Sequence, residues 1–197
     1  MRTFVASKNL GKLAEMREIF AGSELELETY PHYADVIESA DDYVGNARLK
    51  AQSLSAQLHD AGIHAAVLAD DSGLEVDALD GRPGIYSARY AGVETSWLDR
   101  RSALLSEMGG VPADRRNARF VCAMVLVLAD GCELDGFGTV YGRLVEEVRG
   151  RSGFGYDPLF VPDGDTRTFA EFGEEEKNRL SHRRHAARAL LEALANG

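Results

Sequence analysis

Two adjacent carboxylates, Asp70 and Asp71, follow a short apolar run at residues 65–69 and precede a Ser72-Gly73 pair. The run is typical of a buried strand, and the Ser-Gly pair predicts a turn at its end. In open α/β sheets, ligands bind at the carboxyl edge of the strands. Neighbouring side chains on an extended backbone point to opposite faces, so we expect the two acids to have different roles. An Asx turn that merely ends the strand is the alternative.

The chain after this turn also carries a dense pattern. Apolar side chains alternate over residues 74–78 and predict a second strand, and the glycines and proline within residues 81–84 predict a tight turn. Polar and aromatic side chains at residues 87–90 then lie closer together than a purely connecting loop requires. The whole stretch therefore favours a functional site over a simple strand ending.

Composition limits the class of protein. With 197 residues, 45% apolar and 27% charged, the chain fits one α/β domain over residues 1–197. A formal net charge of −10 argues against binding to a nucleic-acid polymer or an anionic membrane, since both need a basic surface. The longest apolar run, residues 120–129, is too short to span a bilayer, and no signal peptide is recognisable, so we expect a cytoplasmic protein.

The spacing of apolar residues predicts an alternation of strands and helices. Strands are expected at residues 3–6, 25–27 and 119–128, and one or two returning strands at 133–148. Helices are expected from about residue 12 to 20, at 43–62, at 96–108 and after Ser181, which can cap the last one. A hairpin beside parallel strands makes the sheet mixed. The fold class is therefore α/β, with a mixed central β-sheet flanked by helices.

Five ordered segments resemble a known family. They are residues 7–12 (SKNLGK), 46–51 (NARLKA), 70–90 (DDSGL, later PG and SARY), 152–158 (SGFGYDP) and 181–183 (SHR). This set is similar to the inosine/xanthosine triphosphate pyrophosphatases, which hydrolyse non-standard purine nucleoside triphosphates to the monophosphate and pyrophosphate. The resemblance implies three things about this chain. It hydrolyses ITP, dITP and XTP in the same way, it has two lobes with the active-site cleft between them, and it forms a homodimer.

The resemblance also implies which residues form the site. Asp71 would be the catalytic residue, accepting a proton from water and binding Mg²⁺ together with Glu38, while Asp70 would brace the site. Lys12, Lys50 and Lys177 would hold the phosphates, and residues 154–157 would bind the nucleoside. The complete set of substrate-binding residues is Ser7, Asn9, Lys12, Asn46, Lys50, Ser72, Phe154, Gly155, Tyr156, Asp157, Lys177, His182 and Arg183.

Several of these residues have a simpler reading. Ser7 and Asn9 can be helix caps, and His182 and Arg183 can form an exposed basic patch. Lys50 lies on the apolar side of its predicted helix, where a lysine needs an anionic partner. Phe154 and Tyr156 offer flat faces for a purine, or plug a structural turn.

The chain departs from the family pattern near Glu38. The family commonly has a Glu-Thr-Gly run followed by Glu-Asn-Ala, whereas this chain has Glu38-Ser39-Ala40 and places Gly45 where the second glutamate is common. No carboxylate role can be assigned to position 45.

Two rival functions differ in class. One is a pyrophosphatase that acts on other modified or on standard triphosphates, because motifs do not fix base selectivity. The other is a nucleotide-sensing module that binds without turnover. The presence of both Glu38 and Asp71 argues against the sensor, which needs no activated water.

Overall fold

Six strands form one mixed sheet in the order β2-β1-β3-β4-β5-β6, in a computed structural model that describes residues 1–196. β1 pairs with β2 and with β3 in parallel, and β5 pairs with β6 in antiparallel fashion. The strands are β1 Arg2–Val5, β2 Glu26–Thr29, β3 Ala66–Val76, β4 Asn117–Val127, β5 Glu133–Leu144 and β6 Phe160–Pro162. The mixed α/β sheet expected from the sequence is confirmed.

Within the same residues, five α-helices accompany the sheet. They are α1 Leu10–Ile19, α2 Tyr43–Asp60, α3 Trp97–Glu107, α4 Glu174–Leu180 and α5 His182–Asn196. Short 3-10 turns lie at Asp77–Leu79, Gly84–Tyr86, Ala113–Arg115, Asp157–Leu159 and Phe169–Glu171. None of the helices in residues 1–196 is both long and apolar enough to cross a membrane.

The chain divides into two compact units, and each has its own core. The first unit comprises residues 1–71, 122–138 and 183–197, and the structure describes all of these except residue 197. Alternate residues of β1, β3 and β4 enter two separate clusters, one with α1 and α5 and the other with α2. Helices therefore cover both faces of the sheet in this unit, as the expected flanking arrangement requires.

The second unit comprises residues 72–121 and 139–182. Its core joins apolar side chains of β4, β5 and β6 with those of α3 and an aromatic group, Phe120, Phe160 and Phe169. The expectations of a single domain over residues 1–197 and of a cleft between two lobes stay predictions.

The predicted turn at Ser72-Gly73 is wrong, because β3 runs through both residues from Ala66 to Val76. The glycine serves close packing instead of a turn. A Cβ at Gly73 would lie 2.2 Å from the backbone oxygen of Gly84, and the amide of Leu74 donates to Ser87 Oγ at 2.9 Å. Asp70 and Asp71 consequently lie in the middle of a long strand and not at its carboxyl end.

The glycines of β5 have the same function. The interrupted strands expected over residues 133–148 are one continuous strand. A Cβ at Gly136 would lie 2.3 Å from Ala186 O, and one at Gly142 would lie 2.2 Å from Val161 O. Glycine in these positions lets α5 and β6 pack directly on the strand.

Candidate active site

The two adjacent acids of β3 contact different sets of cations, as their alternation along the strand predicts. Lys50 Nζ lies 3.0 Å from Asp71 Oδ1, whereas Lys12 Nζ lies 3.0 Å from Asp70 Oδ2. Arg183 Nε also donates to Asp70 Oδ2, at 3.2 Å. Both acids are almost fully buried. The two adjacent residues of one strand therefore belong to two separate charge clusters of the first unit.

Asp71, Lys50 and Glu38 form the first cluster, which we call the Lys50 cluster. Lys50, on α2, donates to Asp71 Oδ1 and, at 2.9 Å, to Glu38 Oε1 on the segment before α2. The second oxygen of Asp71, Oδ2, is buried and has no hydrogen-bond partner among the described residues. The anionic partners that an inward Lys50 needs are thus two carboxylates.

The electrostatics of the Lys50 cluster give its members shifted pKa values. Burial raises the pKa of Asp71 above its usual range, and the nearby lysines oppose this only in part. Burial alone would lower the pKa of Lys50, but the charges of Asp71, Asp70 and Glu38 overcome it and hold that pKa above its usual value. Lys50 therefore stays charged, while Asp71 is a stronger base than an exposed aspartate.

Asp70 belongs to the second cluster, with Lys12, Arg183 and Glu15. Arg183 Nη1 donates to Glu15 Oε2 at 2.7 Å, and its side chain is only 3% exposed. Although burial by itself would raise the pKa of Asp70, Lys12 and Arg183 hold it well below its usual range. Asp70 is therefore ionised at neutral pH and holds Lys12 and Arg183, as expected of a brace.

Of the polar residues before α1, Asn9 caps the helix and Ser7 holds the turn that leads to the cap. Asn9 is the N-cap, and its Oδ1 accepts from the backbone amide of Lys12 at 3.2 Å. Ser7 Oγ accepts from the amide of Asn9 at 3.2 Å. The capping interpretation is confirmed for Asn9, whereas Ser7 bonds only to the amide of the cap residue. Substrate binding by both residues stays a prediction.

Asn46 holds the segment that carries Glu38. Its Oδ1 accepts from the amide of Ala40 at 3.0 Å, while its Nδ2 is buried without a partner among residues 1–196. A Cβ at Gly45 would lie 2.6 Å from the Cβ of Ala40. Two of the chain's departures from the family pattern, Ala40 and Gly45, are thus in direct contact, and a larger residue at 45 has no room.

The glycine-rich loop at residues 152–157 belongs to the second unit. Asp157 Oδ2 accepts from the amide of Phe154 at 2.7 Å and from Lys177 Nζ at 2.8 Å. Lys177 Nζ also lies 4.8 Å from the centre of the Phe154 ring. Gly153 and Gly155 adopt positive φ angles of 71° and 62°. The loop is therefore closed on itself by the hydrogen bond within it, and a buried ion pair holds it to α4.

Two expectations, for Tyr156 and for residues 182–183, need correction. Tyr156 is 2% exposed and its ring packs edge-on against Trp97 at 5.4 Å, so it presents no open face to a purine. His182 is 3% exposed and stacks on Phe120 with ring centres 4.8 Å apart. With Arg183 also buried, the alternative of an exposed basic patch at 182–183 is wrong. The half-buried Ser72 lies within β3.

A sequence model of the Ham1 family matches residues 3–193. The chain belongs to this family. It is 42% identical over 195 residues to the dITP/XTP pyrophosphatase of Bacillus cereus, an alignment that covers 96% of this chain and 93% of the relative. It is 46% identical over 194 residues to the dITP/XTP pyrophosphatase of Symbiobacterium thermophilum, with 98% and 94% covered.

Solved structures of the Ham1 family share the fold. The Ham1 protein of Staphylococcus aureus is 35% identical and superimposes with a TM-score of 0.84, covering 100% of this chain and 99% of that one. The HAM1 protein of Coxiella burnetii is 33% identical and gives a TM-score of 0.86 over 100% of both chains. The resemblance noted in the motifs is confirmed over the full length.

Sequence reasoning missed Glu15, the buried partner of Arg183 in this Ham1 chain. Glu15 lies on α1 and is 8% exposed. Its position in the sequence could have indicated a buried acid. Glu15 lies three residues after Lys12, so the two side chains share a face of the helix, and it is adjacent to the buried Met16. No motif of the family resemblance includes it.

Proposed function

We propose that this Ham1 protein hydrolyses ITP, dITP and XTP to the nucleoside monophosphate and pyrophosphate, removing them from the nucleotide pool. Two kinds of observation support the proposal. Relatives at 42% and 46% identity over nearly the full length are dITP/XTP pyrophosphatases. The first unit also supplies a base and cations suited to an anionic substrate.

The chemistry depends on one observation: Asp71 has one oxygen bound by Lys50 and a second, buried oxygen with no hydrogen-bond partner among the described residues. We propose that Asp71 accepts a proton from the attacking water. The water oxygen then bonds to the α-phosphorus, the bond from this phosphorus to the bridging oxygen breaks, and pyrophosphate leaves. A raised pKa favours this role, because a stronger base takes the proton more readily.

The residues of the Lys50 cluster fit a divalent cation, with Glu38 and Asp71 as the groups that would hold it. Magnesium is commonly bound by one or two carboxylates, with water and phosphate oxygens filling the other positions. The buried Asp71 Oδ2 is an acceptor of the required type. Residues 1–196 contain no group of three or more candidate metal-binding side chains, so the protein would supply only this pair. When bound, Mg²⁺ would neutralise phosphate charge.

Lys12 and Lys50 are the proposed phosphate ligands. Both ammonium groups are held on buried carboxylates of the first unit, and each has hydrogens left for an anion. Ser7 and Asn9 lie at the N-terminal end of α1, and Asn46 and Ser72 complete the proposed contacts. Positive charge near the phosphates stabilises both the transferring group and the leaving pyrophosphate.

Lys177 fits the nucleoside end better than the phosphate end. Its ammonium is bound to Asp157, in the loop that we propose binds the base with Phe154 and Gly155. An unpaired buried polar group costs about 1 to 3 kcal/mol, so hydrogen bonds matched to a 6-oxo purine would discriminate against amino-substituted bases. We propose that His182 also belongs to the nucleoside end of the site. Arg183 is proposed to act indirectly, through its hydrogen bond to Asp70.

We propose further that the protein acts in the cytoplasm and that it forms a homodimer, the second of which the resemblance implies. Sedimentation at two protein concentrations measures the second directly. A mass of one chain at both concentrations would contradict it.

Pyrophosphate release from ITP, dITP, XTP, dATP, dGTP and dTTP, with and without Mg²⁺, tests the proposed activity. We expect turnover of the first three with Mg²⁺, and loss of turnover with binding retained in Asp71→Asn. Turnover of standard nucleotides at equal rates would contradict the substrate class. Binding of dITP without pyrophosphate release would favour the sensor.

A further inference from the structure

Lys50 occupies the position between the two carboxylates proposed to bind the cation. Its Nζ lies 2.9 Å from Glu38 Oε1 and 3.0 Å from Asp71 Oδ1. The three side chains are mostly buried, with 12%, 25% and 7% of the Lys50, Glu38 and Asp71 side chains exposed. An ammonium has three hydrogens, and these two contacts use two of them.

An ammonium and a divalent cation cannot share this position. Both would be held by the same pair of carboxylates, Glu38 and Asp71, and like charges that close together repel strongly where little water screens them. Lys50 has a flexible four-carbon side chain, so its charge can move while α2 stays in place.

The triphosphate gives Lys50 an alternative partner. A phosphate oxygen accepts a hydrogen bond from ammonium as well as a carboxylate does, and Lys50 is the proposed phosphate ligand closest to Asp71. A ligand that binds Lys50 away from Glu38 and Asp71 favours the state in which these two carboxylates are free to bind the cation. By linkage, nucleotide and cation then strengthen each other's binding to the protein by the same factor.

We propose that Lys50 is a built-in competitor of the divalent cation, holding Glu38 and Asp71 in the nucleotide-free protein and releasing them when it moves to the triphosphate. This inference rests on the proposed function, since it takes the two carboxylates to be the cation ligands. It adds that the free protein binds the cation weakly because of its own lysine.

Binding of Mn²⁺ alone, followed by the paramagnetic resonance of free Mn²⁺, tests the proposal without turnover. Removing the competing charge in Lys50→Met should tighten Mn²⁺ binding by about tenfold or more relative to wild type. Lys12→Met is the matched control, because it removes a similarly buried lysine whose ion pair is with Asp70 and not with Glu38 or Asp71. It should change the affinity much less.

The results that overturn the proposal are equally specific. Unchanged or weaker Mn²⁺ binding in Lys50→Met would do so, as would equal tightening in Lys12→Met. Circular dichroism checks the fold of each variant. Lys50→Gln, which keeps two donor hydrogens without the charge, must give the same tightening if Lys50→Met does not fold.

A second measurement uses the wild-type protein. Acetic anhydride acylates accessible, uncharged lysine amines, so a mostly buried lysine held by two carboxylates reacts slowly, and mass spectrometry reports each site separately. We expect saturating Mn²⁺ alone to increase the acylation of Lys50 but not of Lys8, whose side chain is 59% exposed. Unchanged acylation of Lys50 would overturn the proposal.

The failure of this inference and of the proposed function are distinguishable. A protein that hydrolyses dITP but binds Mn²⁺ equally in wild type and Lys50→Met contradicts the competition alone. A protein in which Lys50→Met tightens Mn²⁺ binding but which releases no pyrophosphate from any nucleotide contradicts the activity alone. Absence of Mn²⁺ binding in all variants contradicts the competition and the proposed cation site together.

Discussion

Neutralising Asp70 and Asp71 in turn should have opposite effects on stability, although the residues are adjacent and chemically identical. The Asp70 pKa is held below its usual range and the Asp71 pKa lies above it. A carboxyl whose pKa falls on folding stabilises the fold while ionised, and one whose pKa rises does the reverse. We therefore expect Asp70→Asn to destabilise the protein and Asp71→Asn to cost nothing or to stabilise it.

The magnitude for Asp70 follows from its contacts. Both of its oxygens are bound, one by Lys12 and the other by Lys12 and Arg183, in a site that is 2% exposed. Breaking a buried ion pair on one side costs about 3 to 5 kcal/mol. Glu15 still neutralises Arg183, so we expect the lower figure, roughly 3 kcal/mol, which corresponds to a fall in Tm of roughly 6 to 12 °C for a chain of this size.

Urea unfolding of both variants at about pH 7 and about pH 3 measures these effects. The stability that Asp70 contributes is present above the pKa of an unfolded aspartate, about 3.9, and is lost as the pH falls toward its folded value. The difference between wild type and Asp70→Asn should therefore narrow in acid. Equal losses in the two variants, or a larger loss in Asp71→Asn, would refute the electrostatic reasoning.

Three further predictions follow, two on the packing of glycines and one on the ionisation of a tyrosine. Gly45→Glu should lower Tm and weaken Mn²⁺ binding, because its Cβ would lie 2.6 Å from the Cβ of Ala40. The double variant with Ala40→Gly should recover most of both losses. No recovery would contradict the contact. Gly73→Ala should cost about 1 to 3 kcal/mol in urea unfolding, since its Cβ would lie 2.2 Å from Gly84 O, and an unchanged midpoint would disprove the close approach. Burial and the charge of Asp35 raise the pKa of Tyr33 to about 12, so ultraviolet titration against Tyr33→Phe should find one late-ionising phenol. Stability should fall above the unfolded tyrosine value of about 10, and ionisation of Tyr33 near that value would contradict its burial.

The apolar periodicity predicted most of the architecture. The helix beginning near residue 43 and the alternation in the strands could be predicted, because the apolar residues of the sequence pattern are the ones that pack in the core. The turn at Gly73 was predicted wrongly for a physical reason. Glycine is common both in turns and where backbones approach closely, and only the position of Gly84 in space distinguishes the two.

The candidate site was less visible in the sequence than the fold. The inward position of Lys50 indicated an anionic partner, but the partner's identity depended on Glu38, which reaches it from a segment without regular structure. The pairing of Arg183 with Glu15 joins residues far apart in the chain, and no local pattern predicts it. The family motifs identified Arg183 without revealing that it is buried.

The central claim is that this Ham1 protein attacks the α-phosphorus of non-standard purine triphosphates. Incubation of an equimolar mixture of dITP, XTP, dATP and dGTP with Mg²⁺ in ¹⁸O-labelled water, followed by mass spectrometry of all products, tests it most directly. We predict early conversion of dITP and XTP alone, with one ¹⁸O atom in each monophosphate and none in pyrophosphate. Label in pyrophosphate, release of single phosphates, or equal consumption of dATP and dGTP would contradict the claim.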